Sequence, residues 1–369
     1  MNAENADEGS WQTLESFRKE IDRIDEGILG LLSRRLAAAE RIGKVKRRLD
    51  LEIADPARER RILERLSGRS RGRLDPEAIR TVFSGIFASS RRVQETPRVG
   101  FLGPEGTFSH QAARRYYGEE AAYLPLQTLE DVFDRVARAE CHTGIVPLEN
   151  ASEGAVRDTL DLFARHDLII RAEIRLPVRH HLLSHASGPE SIRCLYSHPM
   201  ALAQCRRWTR IHLPGVRTEP AASTAQAVGF ASSHPSAAAV GSRLSGELFG
   251  VPVLQSGIQD RRDNVTRFVV LGRGPLERRP GGRDRTSLLL SVEHRPGALL
   301  RVLSPLAANG VNITRIDSRP RSDRAWEYLF FLDLDGHAAD GPLAEALSEI
   351  SPACTLLKVL GSYPREDDP

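Results

Sequence analysis

The stretch Arg98-Val99-Gly100-Phe101-Leu102-Gly103 is where the character of this chain changes, and its reading divides the sequence in two. It is a short apolar run ending in the Gly/Pro-rich turn Gly103-Pro104-Glu105-Gly106, which predicts a strand and a turn. Upstream the apolar residues keep a helical period. Leu14, Phe17, Ile21, Ile24, Ile28 and Leu31 follow a 3,4 spacing, and Ala38, Ile42, Val45 and Leu49 continue it with no proline before Pro56. That pattern predicts one long helix with a heptad seam, which needs shorter helices or a partner chain to bury it. Two further helices are expected near 56–67 and 75–95.

Downstream, short apolar runs alternate with helical patterns: Gly144-Ile145-Val146-Pro147, Leu168-Ile169-Ile170, His181-Leu182-Leu183, Ala238-Ala239-Val240-Gly241 and Arg267-Phe268-Val269-Val270-Leu271. This is α/β patterning. A Gly-, Pro- and Arg-rich segment, 272–284, reads as a linker. Beyond it a strand over Thr286–Val292, a helix over 298–309, strands over 311–319 and 326–334, a helix over 341–350 and a strand over 354–360 are expected. That β-α-β-β-α-β order is ferredoxin-like. The fold expected is therefore multidomain: an all-α domain over 1–96, an α/β domain over 97–273 and an α+β domain over 284–369.

Composition sets the limits. At 369 residues with 40% apolar and 27% charged side chains, the chain can bury two or three cores. A net charge of +3 gives no argument for nucleic acid. Lysine is confined to Lys19, Lys44, Lys46 and Lys358, so arginine is the general cation and a single arginine marks nothing by itself. Cys141, Cys194, Cys205 and Cys354 form no CxxC pair and read as reduced thiols of a cytoplasmic protein. No signal peptide and no run able to span a bilayer is visible, so no membrane partner is expected. His180-His181 lacks carboxylate or cysteine partners at metal spacing, and no metal site is expected. Ser197-His198 lacks the Gly-x-Ser-x-Gly elbow of a hydrolase, and the 103–106 turn lacks the Gly-Lys-Ser/Thr of a phosphate loop.

The helical seam has one misfit. Arg35 stands where the heptad wants an apolar residue, and a buried charge is costly unless paired. Lys46 projects from nearly the same face about 16 Å further on. Two such cations could grip a dianion, or Arg35 could snorkel beside a glutamate of the bundle.

Four motifs in order, Gly103-Pro104-Glu105-Gly106-Thr107-Phe108-Ser109, Val146 to Gly154 (Val-Pro-Leu-Glu-Asn-Ala-Ser-Glu-Gly), Ser197-His198-Pro199 and Asn264-Val265-Thr266-Arg267-Phe268, closely resemble prephenate dehydratase. The resemblance implies a two-lobed, periplasmic-binding-like domain, the chain crossing between lobes near 172–178 and returning near 252–258. It implies loss of carbon dioxide and water from prephenate to give phenylpyruvate. Thr266 is then the residue nearest the chemistry, orienting the leaving hydroxyl, with Glu149 or a bound water as proton source. Thr107, Asn150, Ser152, Ser197, Gln204 and Ser223 become binding and orienting groups. Arg267 either offsets substrate carboxylate charge or pairs with a structural acid.

Arg18, Arg35, Lys46, Asp55, Arg58, Glu59, Ser90 and Gln94 match the polar site of the all-helical chorismate mutase. The resemblance implies a pericyclic rearrangement of chorismate, needing no cofactor, base or nucleophile. Lys46 and Gln94 would serve the breaking ether oxygen, Arg35 and Arg18 the carboxylates, and Glu59 with Asp55 the ring hydroxyl. Arg18 and Arg35 are about 25 Å apart along one helix and cannot touch one small substrate. Arg18 must then complete a site in another chain, which implies a homodimer, with higher association open. Gly297-Ala298-Leu299-Leu300 and Asp317-Ser318-Arg319-Pro320 are similar to the two phenylalanine-binding motifs of the ACT domain, and are expected at the ends of adjacent strands. The family's second motif usually starts with glutamate; the shorter Asp317 bears on affinity more than on ligand identity. Together the three segments resemble the bifunctional mutase–dehydratases of phenylalanine synthesis, regulated by phenylalanine. The alternative is a dehydratase whose helical domain only dimerises.

Overall fold

The computed structural model describes residues 4–49, 51–70, 74–94, 97–119, 121–261, 263–275, 283–320 and 328–366. It divides into two compact units, 1–97 and 98–369. The first unit is α1 (Glu4–Arg48), α2 (Pro56–Ser67) and α3 (Pro76–Gln94). The seam forms one helix of 45 residues, about 67 Å long. Its two halves differ. From Trp11 to Leu31 the described side chains are exposed, including Phe17, Ile21, Ile24 and Ile28. From Leu32 onward α1 is covered along one side, with Ala39 and Gly43 buried while Ile42 and Val45 remain exposed. A Cβ on Gly43 would come within 2.9 Å of Gln94 Cα, so glycine is what lets α3 approach α1 at this level.

The second unit opens with a lobe built from β1 (Arg98–Leu102), α4 (Phe108–Tyr117), β2 (Ala122–Leu126), α5 (Leu129–Ala137), β3 (Thr143–Asn150), β4 (Gly154–Ala155), α6 (Arg157–Arg165) and β5 (Ile169–Pro177). The chain then enters a second lobe: β6 (His181–Ser184), β7 (Cys194–Ser197), α7 (Pro199–Gln204), α8 (Arg206–His212), β8 (Arg217–Pro220), α9 (Thr224–Ser232), β9 (Ala237–Gly241), α10 (Arg243–Phe249) and β10 (Val253–Gln255). It returns as β11 (Val265–Gly272) between β3 and β5 of the first sheet. The sheet orders are β2-β1-β3-β11-β5 and β10-β6-β9-β7-β8. The crossings fall at 178–180 and 256–264, later than the resemblance implies. The cause is β5, which stays paired with β11 as far as Pro177 opposite Val265.

The last part is β12 (Asp284–Ser291), α11 (Ala298–Ala308), β13 (Ile313–Pro320), β14 (Tyr328–Asp335), α12 (Gly341–Ile350) and β15 (Leu356–Pro364), in the expected ferredoxin-like order. The centre of the expected linker, 276–282, lies outside the described residues. β15 runs further than the apolar pattern suggests, through Gly361 to Pro364, because its whole length pairs with β12. Leu288, Leu290, Leu332 and Leu334 face α11 and α12. Leu289, Phe331, Leu360 and Tyr363 face the other way, into one core with Phe133, Leu160 and Phe163 of the first lobe. The ferredoxin-like sheet is thus packed on the α/β domain as part of one unit. Among the described residues, no helix is long and apolar enough to cross a membrane.

Candidate active site

In the helical unit, α1, α2 and α3 bring most of the expected polar set together. Arg35 donates to Ser90 Oγ, with its guanidinium over the Phe87 ring at 5.5 Å. Burial lowers the Arg35 pKa, with Glu59 working against it. Ser90 also accepts Gln94 Nε2 at its carbonyl, 3.1 Å, so one residue places both Arg35 and Gln94. Lys46 Nζ donates to the carbonyls of Glu52 and Ile53, both at 2.9 Å. Asp55 caps α2 by accepting from Arg58 N at 2.8 Å, and the Arg58 side chain is exposed. Glu59 pairs with Arg91, a partner that motif matching did not find. Arg18 stands apart: it is exposed, with Glu15 at 3.7 Å.

In the α/β domain the register of β3 against β11 sets the second site. Thr266 lies opposite Asn150, and Arg267 opposite Glu149. Successive strand residues point to opposite faces, so the two pairs separate. On one face Asn150 Nδ2 lies 2.8 Å from Thr266 Oγ1 and 2.8 Å from Asn264 Oδ1. Asn150 Oδ1 accepts from the amides of Ser152 and Glu153 at 2.9 and 3.2 Å. Asn264 Nδ2 reaches Gln204 Oε1 in the second lobe at 3.2 Å, and His180 Nε2 meets the same oxygen at 2.9 Å. His180 is buried, which lowers its pKa, its bond to Gln204 acting in the opposite sense. The Phe108 ring lies edge-on to it at 5.5 Å.

Thr107 caps α4 and donates to Leu102 O at 3.1 Å. Beside it Gly106, at φ +84°, carries its carbonyl to Ser242 Oγ at 2.8 Å. A Cβ on Gly106 would press on Ser245 and Ala225 at 3.0 and 3.4 Å, so this loop of the first lobe seats closely on the second. Ser223 caps α9 just before Ala225. Thr107, Ser223, Asn150, Thr266 and Gln204 are thereby gathered where the lobes meet.

Three expectations are corrected. Arg267 is not a cleft residue: it is buried against Glu173 (2.7 Å), Asp333 (2.5 Å) and Tyr363 Oη (2.8 Å). The structural acid is the alternative found. Burial alone would lower its pKa, but Tyr363, Asp333 and Glu173 around it raise it overall. Glu149 shares the Arg267 face, with Arg315 Nη1 at 3.5 Å and Arg267 Nη1 at 3.8 Å, so it points away from Thr266. Ser197 is fully buried and donates to Val240 O at 2.7 Å, joining β7 to β9 rather than facing the cleft. Ser152 is not among them: its backbone amide donates to Asn150 Oδ1, and its exposed side chain is compatible with the expected binding role.

The ferredoxin-like motifs also part company. β14 lies between β12 and β13, so the two motifs are not on adjacent strands. Gly297, at φ +74°, starts α11, followed by buried Ala298 and partly buried Leu299. Asp317 and Ser318 lie within β13, not after it. Asp317 shares its row with Phe331 and Leu289, on the face away from the helices, and meets Arg315 Nε at 2.5 Å. Arg319 on the same face pairs with Asp161 of α6 at 2.6 Å. Arg315, which the motifs do not include, therefore touches both Asp317 and Glu149.

A cationic helical site, a cleft lined by amides and a hydroxyl, and a ferredoxin-like sheet packed on the cleft domain define a multidomain enzyme acting on small molecules. Family models agree in order along the chain: chorismate mutase type II over 17–95, prephenate dehydratase over 99–275 and the ACT domain over 286–351. A bifunctional chorismate mutase/prephenate dehydratase of Aquifex aeolicus is 42% identical over 358 residues, 96% of this chain and 98% of that one. The solved prephenate dehydratase of Arthrobacter aurescens in complex with L-Phe superposes with a TM-score of 0.68 at 35% identity, covering 73% of this chain and 90% of that one. A structure described as GqqA, a quorum quenching acylase, superposes with a TM-score of 0.67 at 31% identity, covering 73% and 98%. The chain belongs to the bifunctional chorismate mutase/prephenate dehydratase family. It converts chorismate to prephenate and prephenate to phenylpyruvate, carbon dioxide and water.

Proposed function

We propose that Thr266 is the hydrogen-bond donor to the departing hydroxyl of prephenate, and that phenylalanine regulates this step through the ferredoxin-like domain. The observation that carries the first part is the bond from Asn150 Nδ2 to Thr266 Oγ1. It occupies the oxygen as acceptor and leaves the hydroxyl hydrogen to donate. As the ring carboxylate leaves as carbon dioxide, the electrons of its C–C bond enter the ring, which becomes aromatic. The C–O bond electrons leave with oxygen, and a proton makes water of it. Glu149 faces the other way, so water in the cleft supplies that proton. Thr107, Ser223 and Gln204 hold and orient the substrate.

The helical unit works as a homodimer, in which Arg18 of one chain completes the Arg35–Lys46 site of the other. The exposed seam from Leu14 to Leu31 supports this, being what a second copy of α1 would cover. Asp55, Arg58, Glu59, Ser90 and Gln94 complete the substrate contacts. Four free cysteines support a reducing, cytoplasmic setting.

Phenylalanine is proposed at Gly297, Ala298 and Leu299 together with Asp317, Ser318 and Arg319, by analogy with the L-Phe complex of the Arthrobacter relative. Within one chain these motifs are separated, so the site draws on two paired domains. Arg315 gives the route inward, from Asp317 to Glu149, whose neighbour Asn150 holds Thr266. Glu149→Gln is therefore expected to keep dehydratase velocity within about tenfold of wild type. The same change should weaken inhibition by phenylalanine about 5-fold or more, the size of a typical coupling between sites. Velocities at subsaturating prephenate across a phenylalanine titration decide it. A loss as deep as that of Thr266→Ala would restore Glu149 as a proton donor, and unchanged inhibition would remove it from the route. Wild type indifferent to saturating phenylalanine would sink the regulatory reading.

A further inference from the structure

The amide network at the lobe boundary can run in only one direction. Its anchor is Asn150. Oδ1 of that side chain faces two backbone N–H groups, those of Ser152 and Glu153, and only an oxygen can satisfy both. Its Nδ2 hydrogens therefore go to Thr266 Oγ1 and Asn264 Oδ1. Asn264 must then present Nδ2 to Gln204, and Gln204 must present Oε1. The same Oε1 faces His180, so His180 carries its proton on Nε2. His180 Nδ1 is buried with no partner, which suits a bare nitrogen and would strand a donor. Reversing any one amide sets two donors or two acceptors against each other further along.

Two hydrogens emerge from this chain unused. With its oxygen taken twice, Gln204 has only its NH2 left, and no acceptor for it occurs among the described residues. Gln204 is partly exposed at the lobe boundary. The Thr266 hydroxyl hydrogen is the other. His180 itself sits on the first crossing, tied to the second: its N–H donates to Gln259 Oε1 at 3.0 Å and its carbonyl accepts from Ile258 N at 2.9 Å. Its ring meets Phe108 of the opposite lobe.

We propose that His180 is a positioning residue of the dehydratase: its Nε2–H pins the Gln204 carbonyl away from the substrate, so that the Gln204 amide NH2 donates to an anionic oxygen of prephenate. Without that pin, Asn264 alone holds the amide. A flipped Gln204 would then set its carbonyl against a carboxylate. The inference rests on the cleft being the prephenate site, as proposed above.

His180→Phe keeps ring volume and removes the donor, whereas Gln at position 180 returns an amide donor near the place of Nε2. Full-length His180→Phe is expected to raise KM for prephenate about 10–100-fold, the usual penalty of an unsatisfied polar group, with kcat changed less. His180→Gln should come back to within about 3-fold of wild type. In a Gln204→Ala background the same His180→Phe change should add almost nothing, because the group it positions is gone. Chorismate mutase velocity reports folding of the other unit throughout. Additive losses in the double variant, or a fall in kcat with KM unchanged, would overturn the proposal. Ring-nitrogen NMR of the wild-type protein at neutral pH is independent of any variant. It should show a neutral His180 with hydrogen on Nε2; hydrogen on Nδ1 would overturn the proposal. If wild type does not turn over prephenate, the site reading fails first, and that failure is visible before any variant is made.

Discussion

Thr266→Ala is expected to lower prephenate dehydration by roughly 10²–10⁴-fold, the range for loss of a positioned donor in the transition state, while chorismate rearrangement proceeds at the wild-type rate. The hydroxide that leaves prephenate is a poor leaving group. Asn150 spends both Nδ2 hydrogens, on Asn264 and on Thr266 itself, so it has none for the substrate. Glu149 is on the other face of the strand pair. That leaves the Thr266 hydroxyl as the proposed donor of this rung. Its removal should fall mainly on kcat, since a bond made to developing charge is stronger in the transition state. The mutase is spared because its residues belong to a separate compact unit. Phenylpyruvate release from prephenate, and disappearance of chorismate in a separate assay, measure the two. Near wild-type phenylpyruvate formation would remove Thr266 from the chemistry; parallel loss of both activities would point to misfolding.

The second large effect concerns Arg18. In the proposed homodimer, Arg18→Ala and Arg35→Ala are each expected to lose most mutase activity, since each would remove a cation from every site. Mixed and refolded together, they should recover about a quarter of wild-type activity, because in a two-fold dimer half the molecules are mixed and each mixed dimer has one intact site of two. The physical ground is helix length: Arg18 and Arg35 lie about 25 Å apart on one unbroken helix. Arg35 faces Ser90 and Phe87, while Arg18 is exposed in its own chain. Formation of mixed dimers is checked by mass spectrometry. Mixed dimers with no mutase activity would contradict the shared site.

The elements and the strand pairing at the cleft could be read from the sequence more fully than the faces on which their residues lie. The heptad seam, the strand at 98–102 and the β-α-β-β-α-β ending are local periodic signals, and each became the element expected of it. Asn150 and Thr266 meet because the motifs that contain them are paired strands. Motif membership, however, does not tell one face of a strand from the other. Glu149 stands beside Asn150 and Arg267 beside Thr266, yet both belong to the contact with the ferredoxin-like sheet. The period-2 rule applied to Glu149-Asn150 and Thr266-Arg267 would have separated them. Ser197 is a different case: only the packing of β7 against β9 shows that its hydroxyl is already engaged. Arg315 and His180 left no local signal. Arg315 reaches Glu149 from a sheet edge laid against another domain, and His180 sits on a crossing whose place depends on how far β5 stays paired with β11.

One chain performs two successive reactions. The most direct test is a time course of full-length purified protein with chorismate as the only substrate, following chorismate, prephenate and phenylpyruvate together. Chorismate is expected to be consumed and phenylpyruvate to accumulate, and Thr266→Ala to halt the sequence at prephenate. A protein that converts added prephenate but leaves chorismate untouched would contradict this, and would reduce the helical unit to a dimerisation domain.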